Sequence, residues 1–114
     1  MMEPNEMAQK IAEALAAKKA EDVMIIDISQ KSSFADYFVM ASAMNERQLD
    51  GLKDAVEDLL EPLEIFPKNI EGEKTSGWIL MDYGDVIVNI LTKEMREKYN
   101  IEKIWGDCEF VTVE

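Results

Sequence analysis

Two apolar runs separated by a four-residue turn restrict the fold of this chain more than any other sequence feature. The runs occupy residues 78–81 and 86–91, and the turn between them contains Gly84. Both runs are apolar at consecutive positions, and successive side chains of a strand point to opposite faces. They therefore predict a hairpin in a sheet that needs cover on both sides.

The remaining pattern predicts three helices and three further strands. Helical spacing of apolar residues occurs at 5–19, where Asn5 is the expected cap, and behind Asn45, where Gln48 completes a pattern like a capping box. A short helix should follow Thr92 as far as Lys98. Strands are expected at 23–28, 37–42 and 65–70. The third contains a proline, so we expect it at an edge of the sheet.

These elements predict one α/β domain (α+β, with a mixed sheet) that spans residues 1–114. The order is α-β-β-α-β-β-β-α, with about five strands, three helices and a frayed end at 110–114. Three helices can leave some apolar sheet surface free for a partner, or they can complete the cover together with the C-terminal tail. The sequence favours neither arrangement, and an uncovered face would serve a homodimer as readily as another partner.

The charge of the chain bears on its partners. It carries 24 acidic and 12 basic residues, a formal net charge of −12. Such a surface repels phosphate, so general nucleic-acid binding is disfavoured and a basic protein partner is favoured. Acidity that serves only solubility is the simpler alternative.

The residue types that are rare or absent in this chain restrict its possible catalytic chemistry and its cellular location. The chain has no histidine and one cysteine, Cys108, so Ser-His and Cys-His catalysis, imidazole metal ligands and an internal disulfide are all excluded. The first residues do not resemble a signal peptide, and no apolar run approaches the ~20 residues of a membrane helix. We therefore expect a cytoplasmic protein without membrane association.

Two pairs of polar residues resemble fragments of catalytic or metal sites. Asp82 and Asp85 bracket the hairpin turn, where aspartate is common because its side chain bonds nearby backbone. Asp27 and Ser29 share a strand face, but a nucleotidyl transferase needs two metal-binding carboxylates there. A structural role is favoured for both pairs, so we expect no catalytic residues, metal or cofactor.

The two tryptophans are the better candidates for a functional site. Trp78 begins a strand after a flexible loop, and Trp105 precedes a Gly-Asp pair. Tryptophan usually belongs to the core, but it is also the residue most enriched at binding hot spots. Its position at the end of an element, beside polar loop residues, favours an interface.

Three stretches of the sequence together resemble the Iojap-related ribosomal silencing factors. They read SFADYFV at 33–39 with NERQ at 45–48, GWILMDYGDVIV at 77–88, and REKYNIEKIWGD at 96–107. The resemblance covers about residues 8–108. The sequence departs from the family pattern at 42–45, where a family glycine is lost, and at Asn89, where the family usually has histidine.

The resemblance implies a fold related in topology to nucleotidyl transferases without their catalytic site. It implies binding to a large-subunit ribosomal protein, the fourteenth in the usual series, at the face that meets the small subunit, so that subunit joining is blocked. Carried over by position, the contact residues include Trp78 and Tyr83, with Arg96 and Tyr99 in a recurrent motif. We add Asp82 and Asp85 as a polar rim. A large-subunit assembly adaptor is the main alternative, and a nucleotidyltransferase-like enzyme is a weaker one.

Overall fold

The computed structural model describes residues 2–113. The strands are β1 (Glu21–Asp27), β2 (Tyr37–Ala43), β3 (Asn69–Glu71), β4 (Trp78–Asp82), β5 (Val86–Thr92) and β6 (Glu109–Val113). The α-helices are α1 (Pro4–Ala17), α2 (Glu46–Leu60) and α3 (Lys93–Tyr99), and 3₁₀ turns occur at Glu61–Leu63, Lys74–Ser76 and Ile101–Trp105. Within the described range, no helix combines the length and hydrophobicity that a transmembrane span requires.

The strands form a mixed sheet in the order β3-β4-β5-β2-β1-β6. The central pair, β2 and β5, is parallel, and the other neighbours are antiparallel. This confirms the predicted mixed-sheet α/β class, the β4–β5 hairpin and the edge position of β3. The parallel pair is possible because α2 and the β3–β4 segment provide the long crossover that such a pair needs.

The prediction of a frayed end at 110–114 was wrong over the described residues, because β6 is a sixth strand. It pairs antiparallel with β1, and Val111 lies opposite Ile25. Phe110 and Val111 are 55% and 59% exposed. Because neither side chain is buried, this strand does not show the alternation of apolar and polar residues that predicts a half-buried strand. The backbone ladder with β1 holds this strand instead, and Glu114 lies outside the described residues.

The start of α2 follows the predicted capping pattern with one change. The Asn45 side chain accepts a 2.8 Å hydrogen bond from the Gln48 backbone N–H. The Gln48 side chain accepts a 2.6 Å bond from the backbone N–H of Met44, one residue before the cap. Both bonds satisfy backbone donors at the helix entrance, which stabilises this end of the helix.

The predicted bounds of α1 require correction at both ends. The helix begins at Pro4, and the cap position is Glu3, whose side chain makes no capping bond. Asn5 lies inside the first turn, and its side chain accepts a bond from the neighbouring Glu6 N–H. Proline is well suited to a first helical position because its missing N–H has no intrahelical acceptor there. Lys18 and Lys19 lie beyond the last turn.

The sheet carries a separate apolar core on each face. The first core lies under α1 and α2. The apolar faces of these helices pack against alternate residues of the four strands β1, β2, β4 and β5. Its largest fully buried members are Ile11, Leu15, Leu49, Leu52, Leu60, Ile79, Met81 and Ile90. The second core lies under α3 and the last 3₁₀ turn, and it contains Ile26, Ile28, Ala35, Phe38, Met40, Ile87, Leu91 and Ile101.

The cover on the two faces is unequal. Two long helices shield the first core, whereas the second face has one seven-residue helix and one 3₁₀ turn. Trp78, Leu80 and Met95 are only partly buried against the second core. Of the two arrangements that the sequence left open, the structure therefore shows the one with apolar surface remaining, at the β4 side of the second face.

A candidate binding groove beside the fourth strand

The alternation of β4 places one row of side chains in the open part of the second face. Ile79 and Met81 are fully buried in the first core. Trp78, Leu80 and Asp82 point to the other side and are each only half-buried. Since β3 is a three-residue edge strand, no strand among residues 2–113 extends the sheet beyond it. The row therefore lies at an accessible margin.

Trp78 is held from two directions. Its ring packs against that of Tyr99, with 5.2 Å between centroids and 46° between planes. Its indole Nε1–H donates a 3.0 Å hydrogen bond to Oδ1 of Asn89 on β5. Tyr99 is 49% exposed, so the aromatic pair joins the second core to the surface.

An open groove of about 380 Å³ runs beside this pair. It is lined by Glu71, Gly72, Ser76, Trp78, Leu80, Met95 and Tyr99. Gly72 has φ +83°, and a Cβ added there would lie 2.0 Å from the Trp78 carbonyl oxygen. Only glycine allows the backbone this conformation and this close approach, which brings the β3–β4 loop against the groove.

The hairpin turn uses its aspartates structurally. The Asp82 side chain accepts a 2.8 Å hydrogen bond from the Gly84 N–H, and Gly84 has φ +92°. The Asp85 carbonyl accepts bonds from Asp36 and Tyr37, while its side chain is exposed. Across residues 2–113, no three acidic or thiol side chains are grouped so that they could hold a metal ion.

Tyr83 lies on the opposite side of the sheet from Trp78. It is 8% exposed and packs in the first core. Burial, and then the carboxylates of Glu57 and Glu61, raise the pKa of its hydroxyl above the usual range. Within residues 2–113 this hydroxyl has no hydrogen-bond partner. The structure therefore does not bring Tyr83 into the groove.

Arg96 is also internal. It is 7% exposed, and its Nη1 donates to the Asp22 carbonyl at 2.7 Å and to Ser42 Oγ at 2.9 Å. Its Nε donates to Glu102 at 3.2 Å. The guanidinium thus ties α3 to the sheet beneath it, and the α3 residues that line the groove are Met95 and Tyr99.

Among the six predicted site residues, then, the structure joins Trp78 and Tyr99. Asp82 stands on the same row of β4. Sequence reasoning missed Leu80, Met95 and Asn89 as neighbours of this pair. The two-residue period of β4 could have identified Leu80, whereas Met95 and Asn89 approach Trp78 only through the packing of α3 and β5.

The two other candidates from the sequence lie elsewhere. Trp105 packs edge-on against Phe38, with centroids 5.4 Å apart, and against the exposed Phe34. Asp27 Oδ1 accepts hydrogen bonds from the backbone N–H and hydroxyl of Ser29, at 3.0 and 2.6 Å. Trp105 thus completes the second core, and the Asp27–Ser29 pair forms a turn at the end of β1.

The site is thus an open aromatic groove on a mixed-sheet α/β domain with strong negative charge. Comparison with known proteins gives the family. The profile described as "Ribosomal silencing factor during starvation" matches residues 1–114. The chain therefore belongs to the ribosomal silencing factor family, as the three sequence motifs indicated.

Individual relatives agree with this assignment. A protein of Halalkalibacterium halodurans named ribosomal silencing factor is 33% identical over 99% of this chain and 97% of its own length. A crystal structure of a Chromobacterium violaceum protein superposes with TM-score 0.88 at 30% identity, covering 92% of this chain and 88% of the other. A mouse protein named for mitochondrial assembly of the large ribosomal subunit is 27% identical over 80% of this chain and 41% of its own.

Proposed function

We propose that this protein represses translation by docking its groove on a basic protein of the large ribosomal subunit and so obstructing the small subunit. The observation that carries the proposal is the half-buried Trp78 packed against the half-exposed Tyr99 at the margin of an open sheet face. Aromatic anchors of this kind dominate binding energy at protein interfaces.

The physical character of the groove favours a protein surface as its occupant. Its lining is apolar at Leu80 and Met95 and carries one carboxylate, that of Glu71. Asp82 lies two residues beyond Leu80 on the same face of β4. The whole chain carries a formal charge of −12, which speeds association with a positive partner and opposes contact with phosphate. An interface of about 800 Å² on each side suffices for specific binding.

Inhibition of this kind requires occupancy and no turnover. The carboxylates at the turns bond to nearby backbone, and the chain has no histidine to serve as a general base. We infer that the protein is not an enzyme and acts in the cytoplasm as a steric obstacle at the face where the subunits meet. Asp82 and Asp85 contribute negative charge near that contact, while Tyr83 and Arg96 support it from within the fold.

The test is binding of purified protein to large ribosomal subunits, followed by subunit joining measured by light scattering. Trp78→Ala and, separately, Tyr99→Ala should reduce co-sedimentation and restore joining. Leu63→Ala is the control, because Leu63 is an apolar residue with 51% exposure in the 3₁₀ turn that follows α2, and it does not line the groove. Wild-type protein that neither binds large subunits nor slows joining would refute the proposal.

Large-subunit assembly is a second candidate, supported by the name of the mouse relative. The two functions predict different particles in a strain that lacks the protein. Loss of an assembly factor leaves incomplete large subunits, whereas loss of a silencing factor leaves mature subunits that join too readily under starvation. Sedimentation profiles with analysis of the ribosomal RNA ends distinguish them.

A further inference from the structure

Asn89 is a buried amide in the apolar second face of the sheet. It is 1% exposed and sits in β5, where its ladder neighbours are Leu80 on β4 and Met40 on β2. Its Oδ1 accepts the 3.0 Å bond from Trp78 Nε1–H. Its Nδ2 has no hydrogen-bond partner among residues 2–113.

This orientation of the amide follows from the chemistry of the indole. An indole N–H can only donate, so the oxygen of Asn89 must face Trp78 and the NH₂ group must face the apolar side. A buried donor without a partner destabilises a fold. Leucine, which has a similar shape, would avoid that cost at this position but would leave the Trp78 indole N–H without its acceptor. What asparagine contributes here is therefore the bond to the indole.

The bond crosses the ladder diagonally. Trp78 lies opposite Leu91 on β5, and Asn89 is the residue two positions away on the same face. A hydrogen bond at the edge of the indole restricts its rotation about both side-chain torsions, while the tilted Tyr99 ring packs against it. Together they hold the indole in one orientation at the groove margin.

We propose that Asn89 is a positioning residue that orients Trp78 for partner binding. The inference rests on the groove function proposed above and deepens it. An indole ordered before binding loses less conformational entropy at the interface, so affinity increases without any new contact. Asn89 itself does not touch the partner, since it is buried beneath the indole.

The first measurement is a spectroscopic signature of the bond. The chain has two tryptophans, so a proton–nitrogen correlation spectrum shows two indole signals, which Trp105→Phe assigns. Asn89→Leu should shift the Trp78 indole signal and speed its hydrogen exchange. The melting temperature should change little, because the lost indole bond and the removed unpaired Nδ2 group have opposite effects on stability. An unshifted signal would show that the bond does not order the indole, and would overturn the inference.

The second measurement is affinity for large ribosomal subunits. Asn89→Leu should weaken binding about three- to tenfold, the effect of leaving one large side chain to be ordered on association. Asn89→His, unlike Asn89→Leu, should keep both the binding and the indole signal of the wild type at pH 8, because neutral imidazole retains an acceptor. Below its ordinary pKa of about 6.5 the ring loses that acceptor, so binding by this variant should fall on acidification while the wild type stays constant.

The outcomes separate the two proposals. Wild-type protein that fails to bind large subunits removes the groove function itself. Wild-type protein that binds, with Asn89→Leu binding equally well, removes only the positioning role. If Asn89→Leu does not fold, the pH profile of Asn89→His decides, and a flat profile overturns the inference.

Discussion

Nη1 of Arg96 donates a 2.7 Å hydrogen bond to the backbone carbonyl of Asp22, 74 residues away in the chain. Asp22 has φ +49° and lies where the register of β1 against β2 shifts. The buried guanidinium therefore links α3 to an irregular backbone segment that the ladder alone leaves weakly held. Removing it should disturb the fold rather than the groove.

We expect Arg96→Met to lower the free energy of unfolding by about 3 kcal/mol, because the Glu102 carboxylate and the Asp22 carbonyl lose their donor. Urea denaturation measures the effect. Arg47→Met is the control, since Arg47 is exposed at the start of α2. Equal denaturation midpoints for the two variants would show that Arg96 does not hold β1.

Tyr83→Phe should stabilise the protein by about 1 kcal/mol at neutral pH. The Tyr83 hydroxyl is buried and has no hydrogen-bond partner within residues 2–113, and removing an unsatisfied polar group removes its desolvation cost. Thermal unfolding measures the change. A lower melting temperature would reveal a partner for the hydroxyl.

The same residue predicts a dependence of stability on alkaline pH. Burial raises the pKa of the Tyr83 hydroxyl above its ordinary value of about 10, so the folded state keeps a proton that the unfolded chain releases above that pH. Stability is fully present below the unfolded pKa and declines as pH rises toward the folded pKa. Above about pH 10 the wild type should lose stability more steeply than Tyr83→Phe, in denaturant titrations at each pH.

Asp82→Asn should retain the hairpin turn and reduce the rate of association with large subunits. An amide oxygen can accept the bond from the Gly84 N–H as the carboxylate does, so only the charge changes. Peripheral charges influence association rates and their salt dependence more than affinity. Binding kinetics at low and moderate salt should show a smaller salt effect for the variant, and an identical slope would place Asp82 outside the interface.

Gly72→Ala should destabilise the protein by about 2 kcal/mol and disturb the groove. A Cβ there meets the Trp78 carbonyl at 2.0 Å, and the backbone has φ +83°, a conformation that costs L-residues roughly 1–3 kcal/mol. Gly51→Ala is the matched control. Gly51 lies inside α2 with no atom near its Cβ position, so that change should stabilise the helix by about 1 kcal/mol. Opposite signs in thermal unfolding confirm the contrast.

The elements that the sequence predicted well share a local cause. The β4–β5 hairpin follows from two apolar runs around Gly84, and α2 follows from Asn45 and an apolar stripe at helical spacing. β6 was missed because its side chains are exposed and its stability comes from a backbone ladder with a strand more than 80 residues earlier. No local pattern records such a pairing.

The candidate site divides in the same way. The sequence by itself determined the fold class, the acidic surface and the absence of histidine chemistry, and through its resemblance to the family it predicted Trp78 as a site residue. Tertiary structure alone decided that Tyr99 packs against Trp78, that Asn89 bonds to its indole, and that Tyr83 and Arg96 are buried elsewhere. The physical reason is that periodicity records which side of its own element a residue faces. Which side chains it contacts on that side depends on how distant elements pack. In this chain, the contacts of the site depend on how α3 packs on an incompletely covered sheet.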